Sequence, residues 1–225
     1  MAFQEILAEG LITGQQMTRE EFLRRLEALS DLKYAELIEG RVFVPSPLDS
    51  EHARFGGYVI GWLSLYGRPT PGCKIGGIGT WIMLDSAPQP DVYLGILPEF
   101  GGQWRVEGQY GSGAPELVVE ICETDTEVDF GPKLGLYERA GVREYITLEL
   151  LAKKIVWRAL EGGSYRELTT GPDGSYRSLA FPGLWLNPAA FWSSDTAAMK
   201  DMLQQGLASE EHVAFVQQLT ANYRG

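Results

Sequence analysis

Four polar side chains, Glu36, Asp91, Glu120 and Lys133, stand where their neighbours argue for burial. Glu120 lies in Pro115-Glu116-Leu117-Val118-Val119-Glu120-Ile121-Cys122, bounded by Gly113 on one side and Glu123-Thr124-Asp125 on the other. A short continuous run of Leu, Val and Ile reads as a strand buried on both faces. A carboxylate in its middle has to be protonated, paired or bound to a cation, because an isolated buried charge is very costly. Alternation places Glu120 with Val118 and Cys122, and turns Val119 and Ile121 the other way. From this strand alone two readings stay open. Glu120 is a metal-ligand or catalytic carboxylate, or it is a structural glutamate bonded to a nearby arginine or to backbone.

Glu36, in Tyr34-Ala35-Glu36-Leu37-Ile38, also sits among apolar residues. It is either held inward or a solvated strand position. Asp91 opens a strand over Gln89–Ile96, just after Pro90, where a missing N–H is tolerated. An Asx-type turn is its plainer explanation. Lys133 belongs to a helix that Asp129 can cap, with Pro132 in its first turn and Gly141 just past its end. Lys133, Tyr137 and Ala140 share one helix face. If Tyr137 meets the sheet, Lys133 turns inward beside it. A cation near a helix start opposes the helix dipole, so a neighbouring carboxylate or anion must compensate. The alternative is a lysine that snorkels to solvent.

Three carboxylates in one place repel unless a cation neutralises them. Oxygen-only ligands suit Mg²⁺ or Mn²⁺ rather than Zn²⁺. With a lysine beside them they are the equipment for phosphodiester hydrolysis. The metal polarises the phosphate and lowers the pKa of a bound water. The ammonium orients that water or neutralises charge developing in the transition state.

The elements that must position these groups follow from pattern. Residues 1–17 read as an arm. Thr18-Arg19-Glu20-Glu21 is a capping box, and Phe22, Leu23, Leu26 and Leu29 give the helix after it an apolar stripe. Glu39-Gly40 reads as a hairpin turn. Residues 49–66 predict a helix with Phe55, Val59, Trp62 and Tyr66 inward. His52 shares that face, as a histidine bonded to backbone rather than a base. Gly56, Gly57 and Gly61 suggest a close helix–sheet approach. Strands are expected at 73–77 and 79–84. Residues 98–114 read as a flexible, glycine-rich loop or hairpin, or as a lid over a site between the strands at 91–96 and 116–122. Further strands are expected at 142–149, 153–160 and 164–170, with an edge strand at 181–186. Residues 188–222 read as helices, with Ala208, Val213, Phe215, Val216 and Leu219 available to cover the core or to make a homodimer contact.

The 225 residues suffice for one large domain or two small ones, and 44% hydrophobic content supports a sizeable core. The net charge of −11 argues against a nonspecific nucleic-acid coat or a basic membrane-surface protein. No apolar run reaches the ~18 residues of a membrane span. Met-Ala-Phe-Gln-Glu is not the start of a secretory signal. Two cysteines imply no disulfide framework, and a cytoplasmic location is the expectation. With two histidines far apart, a structural zinc site is not expected. Neither a Gly-x-Ser-x-Gly elbow nor a phosphate-binding P-loop occurs.

Five stretches in order resemble the Uma-two family, a branch of the PD-(D/E)XK nuclease superfamily. They are Tyr34-Ala-Glu-Leu-Ile-Glu-Gly, the helix carrying His52, Gln89-Pro-Asp-Val, Leu117-Val-Val-Glu-Ile, and Asp129-x3-Lys133-x3-Tyr137-x3-Gly141-Val142-x-Glu144-Tyr145. The resemblance implies an α/β (α+β) fold, with an αβββαβ core, a mixed sheet flanked by helices, and a helical C-terminal extension. It divides the chain into an arm (1–17), an endonuclease-like domain (18–186) and the extension (187–225). It implies a Mg²⁺- or Mn²⁺-dependent endonuclease acting on DNA. Asp91 and Glu120 would be its metal ligands, Glu36 a supporting acid, and Gln89, His52 and Tyr137 supporting residues. The superfamily's Glu-x-Lys would put its lysine at Cys122; Lys133 takes over that role in the family pattern. Glu123-Thr124 departs from the family's Ser-Pro after the glutamate strand. A catalytically weak or inactive nuclease-fold binding or self-associating module is the alternative.

Overall fold

The computed structural model describes residues 10–29, 34–45, 49–122 and 131–224. At its centre β8 (Leu117–Cys122) is buried over all 6 residues. It pairs antiparallel with β5 (Val92–Ile96) and parallel with β9 (Glu144–Glu149). β3 (Cys73–Gly76) flanks β5, and β10 (Lys154–Glu161) and β11 (Ser164–Glu167) continue beyond β9. The strand order is β11-β10-β9-β8-β5-β3.

A strand with neighbours on both edges and helices on both faces has no wet side, which is why β8 lacks polar alternation. Leu117, Val119 and Ile121 join the core formed with α2 (Ser50–Gly67) through Phe55, Val59, Trp62, Leu63 and Tyr66. Val118 joins a second core with Leu136 and Tyr137 of α3 (Pro132–Ala140) and with Tyr145. The parallel β8–β9 pair requires a crossover, and α3 supplies it. Gly141 ends α3 in the left-handed region, and its N–H reaches the carbonyls of Tyr137 and Glu138. The chain order α2–β3–β5–β8–α3–β9 is thus αβββαβ on a mixed sheet, as expected. Asp129, the expected cap of α3, and Glu123 lie outside the described residues.

β1 (Glu36–Ile38) and β2 (Arg41–Phe43) form a separate hairpin. Its two turn residues, Glu39 and Gly40, have φ 52 and 76. Positive φ at both positions matches a type I′ turn, whose twist suits a two-residue hairpin. α1 (Arg19–Ala28) is capped by Thr18, whose hydroxyl accepts the Glu21 N–H at 3.3 Å. The Glu21 carboxylate is taken by Arg24 and Arg25.

The structure revises several expectations. Residues 14–17 are tied to the β1–β2 hairpin rather than loose, since Gly14 and Gln15 bond Val42 and Met17 bonds Gly40. A Cβ on Gly57 or Gly61 would meet nothing, so close packing does not explain them; at Gly67 it would lie 2.5 Å from Ile75. β4 (Trp81–Ile82), β6 (Arg105–Glu107) and β7 (Tyr110–Ser112) form a small sheet. Trp104 is buried against Trp81 and Tyr93, which pins the 98–114 segment to the core and removes the lid reading. The expected edge strand at 181–186 shrinks to β13 (Trp185–Leu186), paired with β12 (Tyr176–Arg177), while Phe181 and Leu184 are core residues.

The C-terminal helices are α4 (Pro188–Trp192), α5 (Thr196–Leu207) and α6 (Glu210–Asn222). Phe191, Met199, Leu203 and Leu219 join the α2 core, whereas Ala208 and Val213 are exposed. The Tyr66 hydroxyl donates to the Pro182 carbonyl at 3.0 Å, and His212 Nδ1 lies 3.0 Å from the same oxygen. Among the described residues no helix is long and apolar enough to cross a membrane.

Candidate active site

Lys133 follows Pro132 in the first turn of α3, and its side chain is 7% exposed. The Nζ lies 3.0 Å from Glu36 Oε2 and 3.1 Å from Glu120 Oε1. One turn later the Tyr137 hydroxyl donates to the same Glu120 oxygen at 2.7 Å. The inward lysine expected from the helix face is therefore present, and the carboxylates that offset the helix dipole are Glu36 and Glu120. Cys122, on the same β8 face as Glu120, is buried, and the ammonium reaches the glutamate from the covering helix instead.

Glu36 uses its other oxygen as well, since Oε1 accepts the Gln89 N–H at 2.6 Å. The Gln89 side chain donates onward to Thr80 Oγ1 at 2.8 Å. β1 is thereby pinned to the segment that delivers Asp91. The Asp91 position follows from a break in the sheet. The β5–β8 register pairs Val92 with Val119. Continued one residue, it sets Asp91 opposite Glu120; continued two, it sets Pro90 opposite Ile121. The Pro90 carbonyl instead accepts the Ile78 N–H at 3.0 Å. Asp91 Oδ2 takes the Ile121 N–H at 2.7 Å in its place. A side chain thus completes the ladder where the strand has turned away, satisfying a donor that would be costly to leave alone.

His52 Nε2 lies 3.2 Å from Asp91 Oδ2. The backbone partner expected for this histidine is replaced by a carboxylate, because the first turn of α2 lies beside the start of β5. Asp49 caps that turn, accepting the N–H groups of Glu51 and His52.

The structure thus joins Glu36, Glu120, Lys133, Tyr137 and Gln89 in one buried network, and places Asp91 with His52 against the residue after Glu120. Within this set the Lys133 ammonium faces two carboxylates. Among the described residues no three His, Cys, Asp or Glu side chains converge on a single ion position. The described residues alone therefore offer no all-protein cage for a divalent ion, and Glu36 is bonded to Lys133 and Gln89. Mg²⁺ does not demand such a cage, since one or two carboxylates plus waters and substrate phosphates hold it. Asp91, whose carboxylate accepts the N–H of Ile121, and Glu120, the residue before it, are hard oxygen donors that fit that simpler requirement.

Sequence reasoning missed Thr80 and the Ile121 N–H, neither of which carries a local signal. It also left two buried carboxylates unremarked. Glu116 accepts the N–H groups of Ile96 and Gln103 at 2.7 and 3.1 Å. Glu144 accepts from the Ser178 hydroxyl and from the Leu179 and Ala180 N–H groups. Burial pushes both carboxyls above their ordinary range, and their hydrogen bonds pull them partly back. Neither lies in the Lys133 network, so burial alone does not mark a catalytic carboxylate here.

An αβββαβ mixed sheet, with a lysine from the crossover helix held between two carboxylates, defines a restriction-endonuclease-like domain. A family model matches residues 19–189, and the chain belongs to that family, Uma2, which carries the description "Putative restriction endonuclease". The fold is shared with a crystal structure described as "a putative nuclease belonging to DUF820" from Anabaena variabilis ATCC 29413. That likeness has a TM-score of 0.62 at 14% identity and covers 79% of this chain and 98% of the other. No curated protein matches the chain.

Proposed function

We propose that this chain is a Mg²⁺- or Mn²⁺-dependent nuclease that hydrolyses phosphodiester bonds in DNA. The observation that carries this reading is the Lys133 ammonium, held at 3.0 and 3.1 Å between Glu36 and Glu120. Asp91, whose carboxylate accepts the N–H of Ile121 just after Glu120, adds support. Asp91 and Glu120 would hold the ion, which when bound polarises a phosphate oxygen and lowers the pKa of a water. Lys133 orients the attacking water or neutralises charge developing on the phosphate. Glu36 positions that ammonium, and the Gln89 N–H in turn fixes Glu36. Tyr137 sets the orientation of the Glu120 carboxylate, and His52 does the same for Asp91. With a net charge of −11, nonspecific attraction to DNA is weak, which makes a local cation at the carboxylates more important for phosphate binding.

The test is incubation of the purified chain with plasmid and linear DNA in Mg²⁺ or Mn²⁺, beside Asp91→Asn and Glu120→Gln. Asn is chosen at 91 because its amide oxygen still accepts the Ile121 N–H. Metal-dependent cleavage lost in both variants is the expected result. Cleavage no greater than that of the variants sinks the catalytic reading. The non-catalytic binding module, favoured by the net charge, then stands if the chain still binds DNA.

A further inference from the structure

The Lys133 ammonium bridges two carboxylates that reach it from different elements. Glu36 comes from β1 and Glu120 from β8, at 3.0 and 3.1 Å. Glu120 Oε1 takes the Tyr137 hydroxyl as well, at 2.7 Å. One oxygen of a candidate metal ligand thus already serves two donors, one of them a full positive charge. Lys133, Glu36 and Glu120 are all buried, where water screens charge poorly.

A carboxylate that satisfies a buried ammonium is a poorer ligand for a second cation, because the two cations repel at close range. The two partners of Lys133 differ in how they are held. Glu36 is tied through its other oxygen to the Gln89 N–H at 2.6 Å. Two residues along β1, Ile38 packs with Val118, Leu136 and Tyr137. Glu36 therefore stays beside the ammonium from a fixed backbone. By shifting from the bridge to Glu36 alone, Lys133 gives up Glu120 and keeps a counter-charge without leaving the core.

We propose that Lys133 is a placeholder on Glu120, competing with the divalent ion, and that Glu36 is a positioning residue that retains the ammonium when Glu120 turns to the ion. This rests on the nuclease reading above and specifies what sets the metal affinity of that site. Lys133 lowers the affinity by occupying Glu120. Glu36 restores part of it by drawing the ammonium the other way. The ammonium keeps its proton throughout, and no covalent bond changes. The two residues therefore act on metal binding in opposite senses, and Glu36 acts through Lys133.

The experiment measures Mn²⁺ binding by isothermal titration calorimetry, without DNA, for wild type, Lys133→Met, Glu36→Gln and the double variant. Lys133→Gln is a second neutral variant that guards against misfolding of the first. Thermal midpoints are taken beforehand, and every titration is run below the lowest of them. Asp91→Asn gives the baseline for Mn²⁺ held elsewhere on a chain of net charge −11. The neutral Lys133 variants are expected to bind Mn²⁺ about tenfold more tightly than wild type, within the range of coupling inside one ion-pair network. Glu36→Gln is expected to bind several-fold more weakly, and to have little effect once Lys133 is replaced. Neutral Lys133 variants that bind no more tightly than wild type overturn the placeholder and leave the nuclease reading standing. A Glu36→Gln loss of equal size with and without Lys133 is plain loss of negative charge, and it overturns the role given to Glu36. Mn²⁺ binding no stronger than the Asp91→Asn baseline in wild type and every variant overturns the metal reading, and this proposal with it.

Discussion

Replacing Lys133 by Met tests the centre of the site. The substitution keeps the apolar stem and removes the ammonium, which leaves Glu36 and Glu120 facing each other with side chains 10% and 3% exposed. At 3.0 Å each contact is worth about 5 kcal/mol at an effective dielectric of about 20, before the desolvation of the ions is set against it. Removing one partner of a buried pair costs about 3–5 kcal/mol. Set against a total stability of about 5–15 kcal/mol, that is a large share. In a chain of 225 residues it corresponds to a fall in Tm of roughly 10 °C. Urea unfolding of Lys133→Met, Glu36→Gln and the double variant measures it. The double variant is expected to be more stable than the sum of the two singles, because Glu36→Gln removes one of the two like charges that Lys133 holds together. A loss below about 1 kcal/mol, the size of an exposed ion pair, would refute the argument that Lys133 is sequestered between its carboxylates.

Tyr137→Phe removes the 2.7 Å hydrogen bond to Glu120, and a hydrogen bond to a charged group is worth about 1.5–3 kcal/mol. Thermal melts should show that loss, and metal-dependent cleavage should slow because Glu120 loses a contact that sets its rotamer; unchanged melts would remove Tyr137 from the network. The pH dependence turns on Glu144, whose carboxyl is raised by burial above its ordinary 4.5. The folded state holds that proton more tightly than the unfolded chain, so the contribution is complete below about 4.5 and is lost as the pH rises through the folded value. Glu21 and Asp173 act in the opposite sense: held at about 2 by Arg24 and by Ser175, they contribute above their unfolded values and cease to as the pH falls towards 2. Urea midpoints across this range should decline on both sides, and Glu144→Gln should flatten the decline above pH 4.5; an identical decline in the variant refutes the assignment.

The centre of the fold was legible because its signals are local. The β8 run has no polar alternation, and the α3 stripe ties Lys133 to Tyr137 by helical spacing, so both elements and the inward lysine follow from a few residues each. Pairings that depend on distant parts of the chain were not legible. Nothing near Glu36 says that its partners include Lys133 and Gln89, and nothing near Asp91 says that Pro90 turns away and leaves Ile121 to it. Glu116 and Glu144 look like ordinary residues at strand ends, yet both are buried as acceptors of backbone donors. Trp104 read as part of a flexible loop because glycines surround it, whereas its burial comes from Trp81 and Tyr93, separated from it in sequence. In α6 the inner face runs through His212 and Leu219; Val213 lies about 100° around the helix from His212 and faces water.

The β1–β2 hairpin that carries Glu36 is not part of the six-stranded sheet, and among the described residues its backbone meets the site's segment at the Leu37–Ala87 bridge. It is nevertheless held inside the fold: β1 is buried along its whole length, and Ile38 packs with Val118, Leu136 and Tyr137. Glu36 therefore reaches Lys133 from an element outside the central ladder but inside its core, and side-chain packing, not strand pairing in the main sheet, sets where that carboxylate stands.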